Sequence, residues 1–513
     1  MAFTFKKSTS IGNLEAETDF FLENCFIETD AYKSLLEFER GSEFFKRIIV
    51  GRTGSGKTAL IKHLSTESTL HKNESIEAEK TIFEYIRNNI FITKLIQDNI
   101  DLRIFFKALW VHVILIKIIE IDIGKTTFLD NLFHRNDKKE LREYIESYND
   151  KFFDDEALTV ITERFKDSVE AELKTIPASV QANSIEETER RTQSITNNYV
   201  NKELLSKQKN IISYLKSEYN SSNKQKKIII NIDDLDKSWL LTKNIKYDFI
   251  NALLDAFKEF LDLKTIKILV SIRTDILEGV YQNNLRQDEK DKSLILPIEW
   301  TKSEICELLD TRLEYLLEDK YQKKKQPQFK EIFDFNIGKI PAYEFILQRT
   351  MLRPRDAIEF VNCCFQAADG ETELREEHVL AAEETYFTSR KKALIKEWQS
   401  IYPAIQTYVD LIQLFDIREF KVGAFKTRIK SIRQTLIETC NEQDTLVCKI
   451  FENNCSDESL IEGILDIWFT IGIIGIVKAE NVVIYSKYEK EHLDISDYDK
   501  KFRIHDLYWR KSS

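Results

Sequence analysis

The chain has 513 residues, 42% of them hydrophobic and 31% charged, with a formal net charge of −11. That length exceeds what one hydrophobic core serves and predicts about three domains, and only 6 Pro and 13 Gly favour helices over hairpins. The acidic balance excludes a general nucleic-acid coat, although a local basic face can survive within it.

The first residues, Met-Ala-Phe-Thr-Phe-Lys-Lys-Ser, contain no apolar h-region of a signal peptide. The two most apolar runs are 108–119, broken by His112 and Lys117, and 468–477, which is too short; neither is expected to span a bilayer. The seven cysteines (Cys25, Cys306, Cys363, Cys364, Cys440, Cys448, Cys455) include no C-x-x-C pair, and the seven histidines are dispersed. An odd cysteine count without an export signal predicts reduced thiols, a cytoplasmic chain and no zinc site.

In chain order, residues 1–45 read as a helical lead-in that packs on the neighbouring domain through Phe20, Phe21, Leu22, Phe26, Tyr32, Leu35, Leu36 and Phe38. Next comes an apolar strand, Ile48-Ile49-Val50, then Gly51-Arg52-Thr53-Gly54-Ser55-Gly56-Lys57-Thr58-Ala59 and a helix-forming run. This is G-x-x-x-x-G-K-[ST] with the strand before it and the helix after it that the motif requires. The glycines let the loop curl so that its N–H groups face phosphate oxygens, and the helix adds its positive end. Lys57 is placed to reach the β- and γ-phosphates, and the Thr58 hydroxyl to take one position on Mg²⁺. These residues predict a nucleoside-triphosphate site.

Residues 74–89 read as a second strand and its turn, and 96–223 as a charged, mostly helical insertion. Within it, Leu102, Phe105, Phe106, Leu109, Val113 and Ile116 recur at helical spacing. Trp110 and His112 read as packing residues of that helix. Two polar helices, 140–174 and 186–219, flank a break at Pro177, and the stretch 184–198 has little apolar character to hold it. The next strand arrives within Lys226–Asp236, as an unbroken apolar run that ends in Asp233 and Asp234. An unbroken β-branched run is the pattern of a strand covered on both faces, and carboxylates at its end would face a nucleotide. Asp233 is assigned to the metal and Asp234 to activation of the attacking water; an Asp where many ATPases carry Glu predicts slow hydrolysis. Asp236 and Trp239 follow on a loop. Asn223-Lys224 precedes this strand and is misplaced for reading guanine.

A helix over 247–261 leads to the strand Lys267–Arg273, whose Ser271 and Arg273 are candidate γ-phosphate sensors, with Asp275 the alternative partner of Arg273. Leu294–Trp300 reads as a fifth strand, 303–317 as a helix, and Lys320–Lys325 as a solvated loop. Pro354 suits the first turn of the next helix, so Arg353 and Arg355 stand at its entrance. There they act on a triphosphate, their own or a neighbouring subunit's, as arginine fingers, the alternative being a brace within the domain, Arg355 with Asp356 or Glu359. A long helix over 371–400 ends near Pro403. The C-terminal segment reads as three helices, a hairpin (476–477 with 482–485) and a closing Phe502–Tyr508, the order of a winged helix. Its third helix presents Asp457, Glu458, Glu462 and Asp466 where a DNA reader carries basic or amide side chains. The basic residues Lys421, Lys426, Arg428, Lys430 and Arg433 lie earlier. Protein contact is favoured over DNA.

With these residues placed, the chain resembles the bacterial P-loop ATPases of the STAND and KAP-like branch of the AAA-related superfamily. The likeness rests on Gly51–Thr58, Ile232–Asp236, Ser271–Asp275, Leu352–Asp356 and the terminal winged helix. It implies an α/β P-loop NTPase fold with a parallel sheet in the order 5-1-4-3-2, a helical lid and a winged-helix domain, so 1–45, 46–301, 302–402 and 403–513 are the expected parts. It implies ATP and Mg²⁺ as ligands, with Lys57, Asp234, Arg273, Arg353 and Arg355 as the catalytic set. It also implies a homo-oligomeric switch, acting in bacterial antiviral defence with a separate effector protein. The alternative is an origin-recognition or transposition-type ATPase that loads on DNA.

Overall fold

The structure, a computed structural model, describes residues 4–38, 45–66, 71–78, 82–133, 139–154, 156–174, 185–221, 227–233, 235, 243–284, 288–321, 327–439, 444–479, 482–486 and 500–510. Asn223, Lys224, Asp234, Asp236, Trp239, Pro177 and Cys440 lie outside the described residues, as does most of the 320–325 run. Contacts divide the chain into two units: 30–50 with 60–296, and 1–29 with 51–59 and 297–513.

The first of these holds a five-stranded sheet of β1 (Ile48–Gly51), β2 (His71–Glu77), β3 (Lys227–Asp233), β4 (Ile266–Arg273) and β5 (Ile295–Pro297). Its order is β2-β3-β4-β1-β5, which from the other edge is 5-1-4-3-2. β3 pairs parallel with β2 and β4, and Ile228, Ile229, Ile230 and Ile232 are all fully buried. An isoleucine run alone would slide; a polar pair fixes it. Asn231 donates from Nδ2 to Asn73 Oδ1 (2.9 Å), and the Asn73 amide in turn donates to the Leu64 carbonyl. A one-residue slip of β2 against β3 would part them. Lys267, buried mid-strand in β4, has its charge met: Nζ donates to Leu35 O (2.9 Å) and Ser34 O (3.3 Å). Those carbonyls belong to the last turn of the Asp30–Leu36 helix, where a cation complements the unpaired groups.

Between β2 and β3 stands the helical insertion. Its longest member, Arg103–Asp122, packs on the Lys243–Ala256 helix, and Trp110, fully buried, donates from Nε1 to Phe249 O (3.2 Å). Trp110 and His112 are both interior, as the packing reading has it. Residues 185–199 form a regular helix, so the stretch expected to be loosely held is ordered through partners distant in sequence: Gln193 Nε2 donates to Asp101 O (2.9 Å), and Thr192 and Thr196 are buried.

Asp248, near Asp101 and Arg103, carries a testable consequence. Burial pushes its carboxyl up to about 6, with Arg103 opposing and Asp101 adding to the rise. The folded chain then binds the proton more readily than the unfolded chain, so this group lowers stability as pH rises from the ordinary carboxylate range through about 6. Asp248→Asn is expected to raise the melting temperature at pH 7.5 and to leave it unchanged near pH 4. A fall at pH 7.5 would show that attraction to Arg103 outweighs burial.

The second unit opens with an arm rather than the expected helical lead-in: residues 4–29 are turns and extended chain. The apolar residues there signalled burial, but their anchors are hydrogen bonds to chain far downstream. Phe5 N donates to Glu371 O (2.9 Å), Gly370 N to Phe5 O (2.9 Å), and buried Arg312 clamps buried Asp19 (2.6 Å). Phe5, Phe21 and Cys25 share a core with the helices Lys302–Tyr321 and Pro354–Ala367. Phe20, expected as an anchor, is 67% exposed. A two-residue pair, β6 (Asn336–Ile337) with β7 (Ile340–Pro341), precedes the helices Pro354–Ala367 and Glu376–Trp398.

The C-terminal segment carries the helices Ile429–Thr439, Thr445–Phe451 and Asp457–Ile471. With them is a four-stranded antiparallel sheet of β8 (Glu419–Lys421), β9 (Ile474–Ala479), β10 (Val482–Tyr485) and β11 (Lys501–Ile504), in the order β10-β9-β11-β8. β8, three residues with one buried side chain, is too short for periodicity to show. Asp457–Ile471 starts on a Ser456 cap (3.1 Å to Ser459 N) and stops at left-handed Gly472 (φ 83°). It buries Trp468 against Phe415 and Phe425, with Nε1 donating to Tyr408 O (2.7 Å). Among the described residues no helix is long and apolar enough to cross a membrane.

Candidate functional site

β1 ends at Gly51, and the loop after it turns into the Lys57–Thr66 helix. Gly54 (φ 82°) and Gly56 (φ 95°) hold left-handed conformations that an L side chain resists. At Gly51 a Cβ would stand 2.3 Å from Ser55 Oγ. Lys57 folds back along the loop, donating to Gly51 O (2.8 Å) and Arg52 O (3.2 Å). The hydroxyls of Thr53 and Ser55 are buried with no hydrogen-bond partner among the described residues. A curled loop with orphaned donors, a lysine and a helix start fits a phosphate group, and Thr58 and Ala59 occupy the first turn of that helix, half-buried.

The loop is also held from outside. Arg52 donates from Nη1 to Ile471 O (2.8 Å) and from Nη2 to Thr470 O (2.5 Å). These are terminal carbonyls of the Asp457–Ile471 helix, where a cation is favoured. A Cβ on Gly472 would come within 2.5 Å of Arg52 Nη1, so the helix end must be glycine for the arginine to lie there. Thr53 N donates to Glu397 Oε1 (3.1 Å), Thr53 O accepts from Arg353 Nη1 (3.2 Å), Gly54 O accepts from Arg355 N (3.3 Å) and Ser55 O from Trp300 Nε1 (2.9 Å). Gly54 is required here as well, since a Cβ would meet Arg355 Cβ at 2.8 Å.

The brace expected of Arg355 with Asp356 or Glu359 is made by Arg353 instead, and Arg355 meets a backbone carbonyl. Arg353, the N-cap of Pro354–Ala367, donates from Nε to Asp356 Oδ2 (2.7 Å), and Arg390 Nη1 donates to the other oxygen (2.7 Å). Burial draws the Arg353 guanidinium down, but Asp356 and Glu397 outweigh it and hold the charge more firmly than usual. Arg355 Nε donates to Leu14 O (2.9 Å), and burial, then Arg390, lowers its pKa. In the sheet unit, Asp233 closes β3 half-buried. Arg273 closes β4 in a two-pronged pair with Asp275 (2.9 and 2.8 Å). Ser271 is buried, its Oγ unpartnered among the described residues.

Three residues on or near this loop escaped the sequence reading. Glu397 is one acid among many on a charged helix. Trp300 passed for the end of a strand. His505, buried beside β9, accepts at Nδ1 from Leu507 N (3.2 Å). Burial, then Arg353, Arg349, Arg418 and Arg52, pushes its imidazole down to about 3, so it is neutral at physiological pH. Its signal was an apolar-flanked histidine, Ile504-His505-Asp506, which reads equally as core. On the C-terminal face, Arg433 pairs with Asp457 (2.7 Å) and Arg428 with Asp416 (2.9 Å).

A family described as the FunZ-associated C-terminal helical domain matches residues 303–395. No curated protein matches the chain. Among solved structures, the Aeropyrum pernix ORC2 protein in its ADPNP–ADP complexes is 12% identical, covering 90% of this chain and 84% of that one at a TM-score of 0.36. Its ADP form, also 12% identical, covers 93% and 88% at a TM-score of 0.31. Both likenesses are too faint to support a shared activity.

Proposed function

We propose that the chain is a slow ATPase used as a switch, binding ATP with Mg²⁺ at the Gly51–Ala59 loop and signalling its nucleotide state through the lid and the C-terminal segment. One observation carries this reading. The loop that would wrap the phosphates is the same loop whose residues Arg52, Thr53 and Gly54 are bonded to Glu397, Arg353, Arg355 and the end of the Asp457–Ile471 helix. A phosphate entering the loop draws Lys57 off the Gly51 and Arg52 carbonyls and puts its charge near Glu397, so loop and braces respond together. In this reading Lys57 and the loop amides hold the phosphates, Thr58 and Asp233 are the metal ligands, and Asp234 orients the attacking water. Mg²⁺ supplies neutralisation of charge developing on the phosphate oxygens. Arg273 is proposed to sense the γ-phosphate by exchanging Asp275 for it. A homo-oligomer and a separate effector protein complete the proposal, of the kind used in bacterial defence.

Mass in solution with no nucleotide, ADP, ATP or a slowly hydrolysed analogue tests it, with and without double-stranded DNA. Assembly that requires triphosphate and ignores DNA is the expected result. Assembly only on DNA would replace the switch with a DNA loader.

Glu397→Gln gives a second test. Gln still accepts from Thr53 N–H but removes a carboxylate beside the incoming phosphates. ATP affinity is expected to rise roughly tenfold, about 1.4 kcal/mol, measured by fluorescent-nucleotide titration. An unchanged affinity would show that Glu397 only supports the loop.

A further inference from the structure

The N-terminal arm reaches the neighbourhood of the Gly51–Ala59 loop through one turn, residues 13–18, most of which are exposed. Both ends of the turn are fixed. Before it, Ile11 N donates to Asn362 Oδ1 (2.9 Å), Asn362 Nδ2 to Gly12 O (3.1 Å) and Arg312 Nη1 to Ile11 O (2.8 Å). After it, Asp19 is held by Arg312 (2.6 Å). The turn also closes on itself, Asn13 donating from N to Asp19 Oδ1 (3.1 Å) and from Nδ2 to Thr18 O (2.8 Å). At Gly12 (φ 127°) a Cβ would stand 2.1 Å from Arg312 Nη1, so only glycine enters the turn along this path. A turn pinned at both ends aims its carbonyls in set directions.

One of those carbonyls has its partner beside the loop: Leu14 O accepts from Arg355 Nε (2.9 Å). Arg355 lies along the loop, its N donating to Gly54 O (3.3 Å) and its Cδ 3.1 Å from where a Cβ on Gly54 would stand. Nε is bonded to that Cδ, so the guanidinium begins beside Gly54. The bond to Leu14 occupies Nε alone, and neither Nη makes a hydrogen bond among the described residues. A guanidinium tethered by one donor keeps its fork for an anion that accepts two. Burial, then Arg390, lowers the Arg355 pKa against Asp356 and the turn's own Glu15. The charge is therefore under-compensated, and a phosphate would satisfy it.

We propose that Leu14 is a positioning residue of the nucleotide site, its carbonyl orienting the Arg355 fork toward the phosphates held by the Gly51–Ala59 loop. This rests on the nucleotide reading above and adds the arm to it. The Leu14 side chain has no part in the hold, so no residue type in the arm advertises it. By linkage, phosphate binding and the order of the turn strengthen each other.

The test is calorimetric titration of the full chain with a slowly hydrolysed ATP analogue. Asn13→Ala, which opens the turn at an exposed residue, is expected to weaken binding about fivefold, and Gly12→Ala, which displaces the arm, at least as much. Arg355→Gln should weaken it about tenfold. Neither arm substitution should weaken it further in the Arg355→Gln background, whereas an arm that only supports the fold would cost the same in both. Asn13→Ala decides the matter if Gly12→Ala does not fold. Parent-like affinity in Asn13→Ala, or losses that add in the double variants, would overturn the proposal while the nucleotide reading stands on the parent's own binding. No binding by the parent, or binding that Lys57→Ala leaves unchanged, would end both.

Discussion

Lys57→Ala is expected to lower affinity for ATP by at least about 100-fold. The lysine is the cation at the start of the Lys57–Thr66 helix, and among its contacts it donates to two loop carbonyls, Gly51 O and Arg52 O. Those are neutral acceptors, whereas phosphate oxygens are charged, and each charge-assisted hydrogen bond contributes roughly 1.5–3 kcal/mol. Two such bonds correspond to a factor of about 10²–10⁴. The variant should fold, because the half-buried side chain closes no core and its loss leaves the Arg52 and Thr53 braces in place. Calorimetry with a slowly hydrolysed ATP analogue reads the loss directly, and the nucleotide-dependent rise in melting temperature should vanish with it. Lys62→Ala, on the same helix but beyond its first turn, should bind as the parent does. Equal affinity in the parent and Lys57→Ala would falsify the phosphate-loop assignment.

The loop was legible because its chemistry is local. Glycine, lysine and threonine at fixed spacing between a strand and a helix are a pattern that eight residues contain. The isoleucine runs of β3 and β4 were legible for the same reason, since burial on both faces leaves a continuous mark. The insertion was visible through the wait between Glu77 and Lys227 for the next strand. What the sequence does not display is what holds the loop. Arg52 bonds to carbonyls 418 and 419 residues away, and Glu397 reaches Thr53 across 344. Backbone acceptors at a helix end have no residue-type signature, and one glutamate on a charged helix looks like its neighbours. The arm failed differently: its apolar content was read correctly as burial, but turn-rich chain pinned by Asp19 and Arg312 has no period to detect. For Arg353, Arg355 and Arg273 the partners were undetermined, because an arginine beside Asp356 or Asp275 has the same sequence whether it braces the chain or meets a ligand.

Asp356→Ala is expected to be the most destabilising substitution near the site. Asp356 is fully buried and accepts from Arg353 Nε and Arg390 Nη1, both at 2.7 Å. Removing it leaves two buried guanidiniums without their shared anion; Glu359, 3.1 Å from Arg390 Nε, remains, but Arg353 loses its nearest carboxylate. Breaking a buried ion pair by deleting one partner costs about 3–5 kcal/mol, which lowers the melting temperature by roughly 6 °C or more for a unit of this size. The cost comes mainly from the stranded charges, so it should shrink when they go too: Asp356→Leu with Arg353→Met and Arg390→Met is expected to recover most of the stability. A melting temperature within about 1 °C of the parent in Asp356→Ala would show that water reaches the arginines. The two variants also separate stability from function. Arg353 holds Thr53 O (3.2 Å), so the triple variant should fold yet bind ATP with altered affinity, because the fold is restored while that hold on the loop is not.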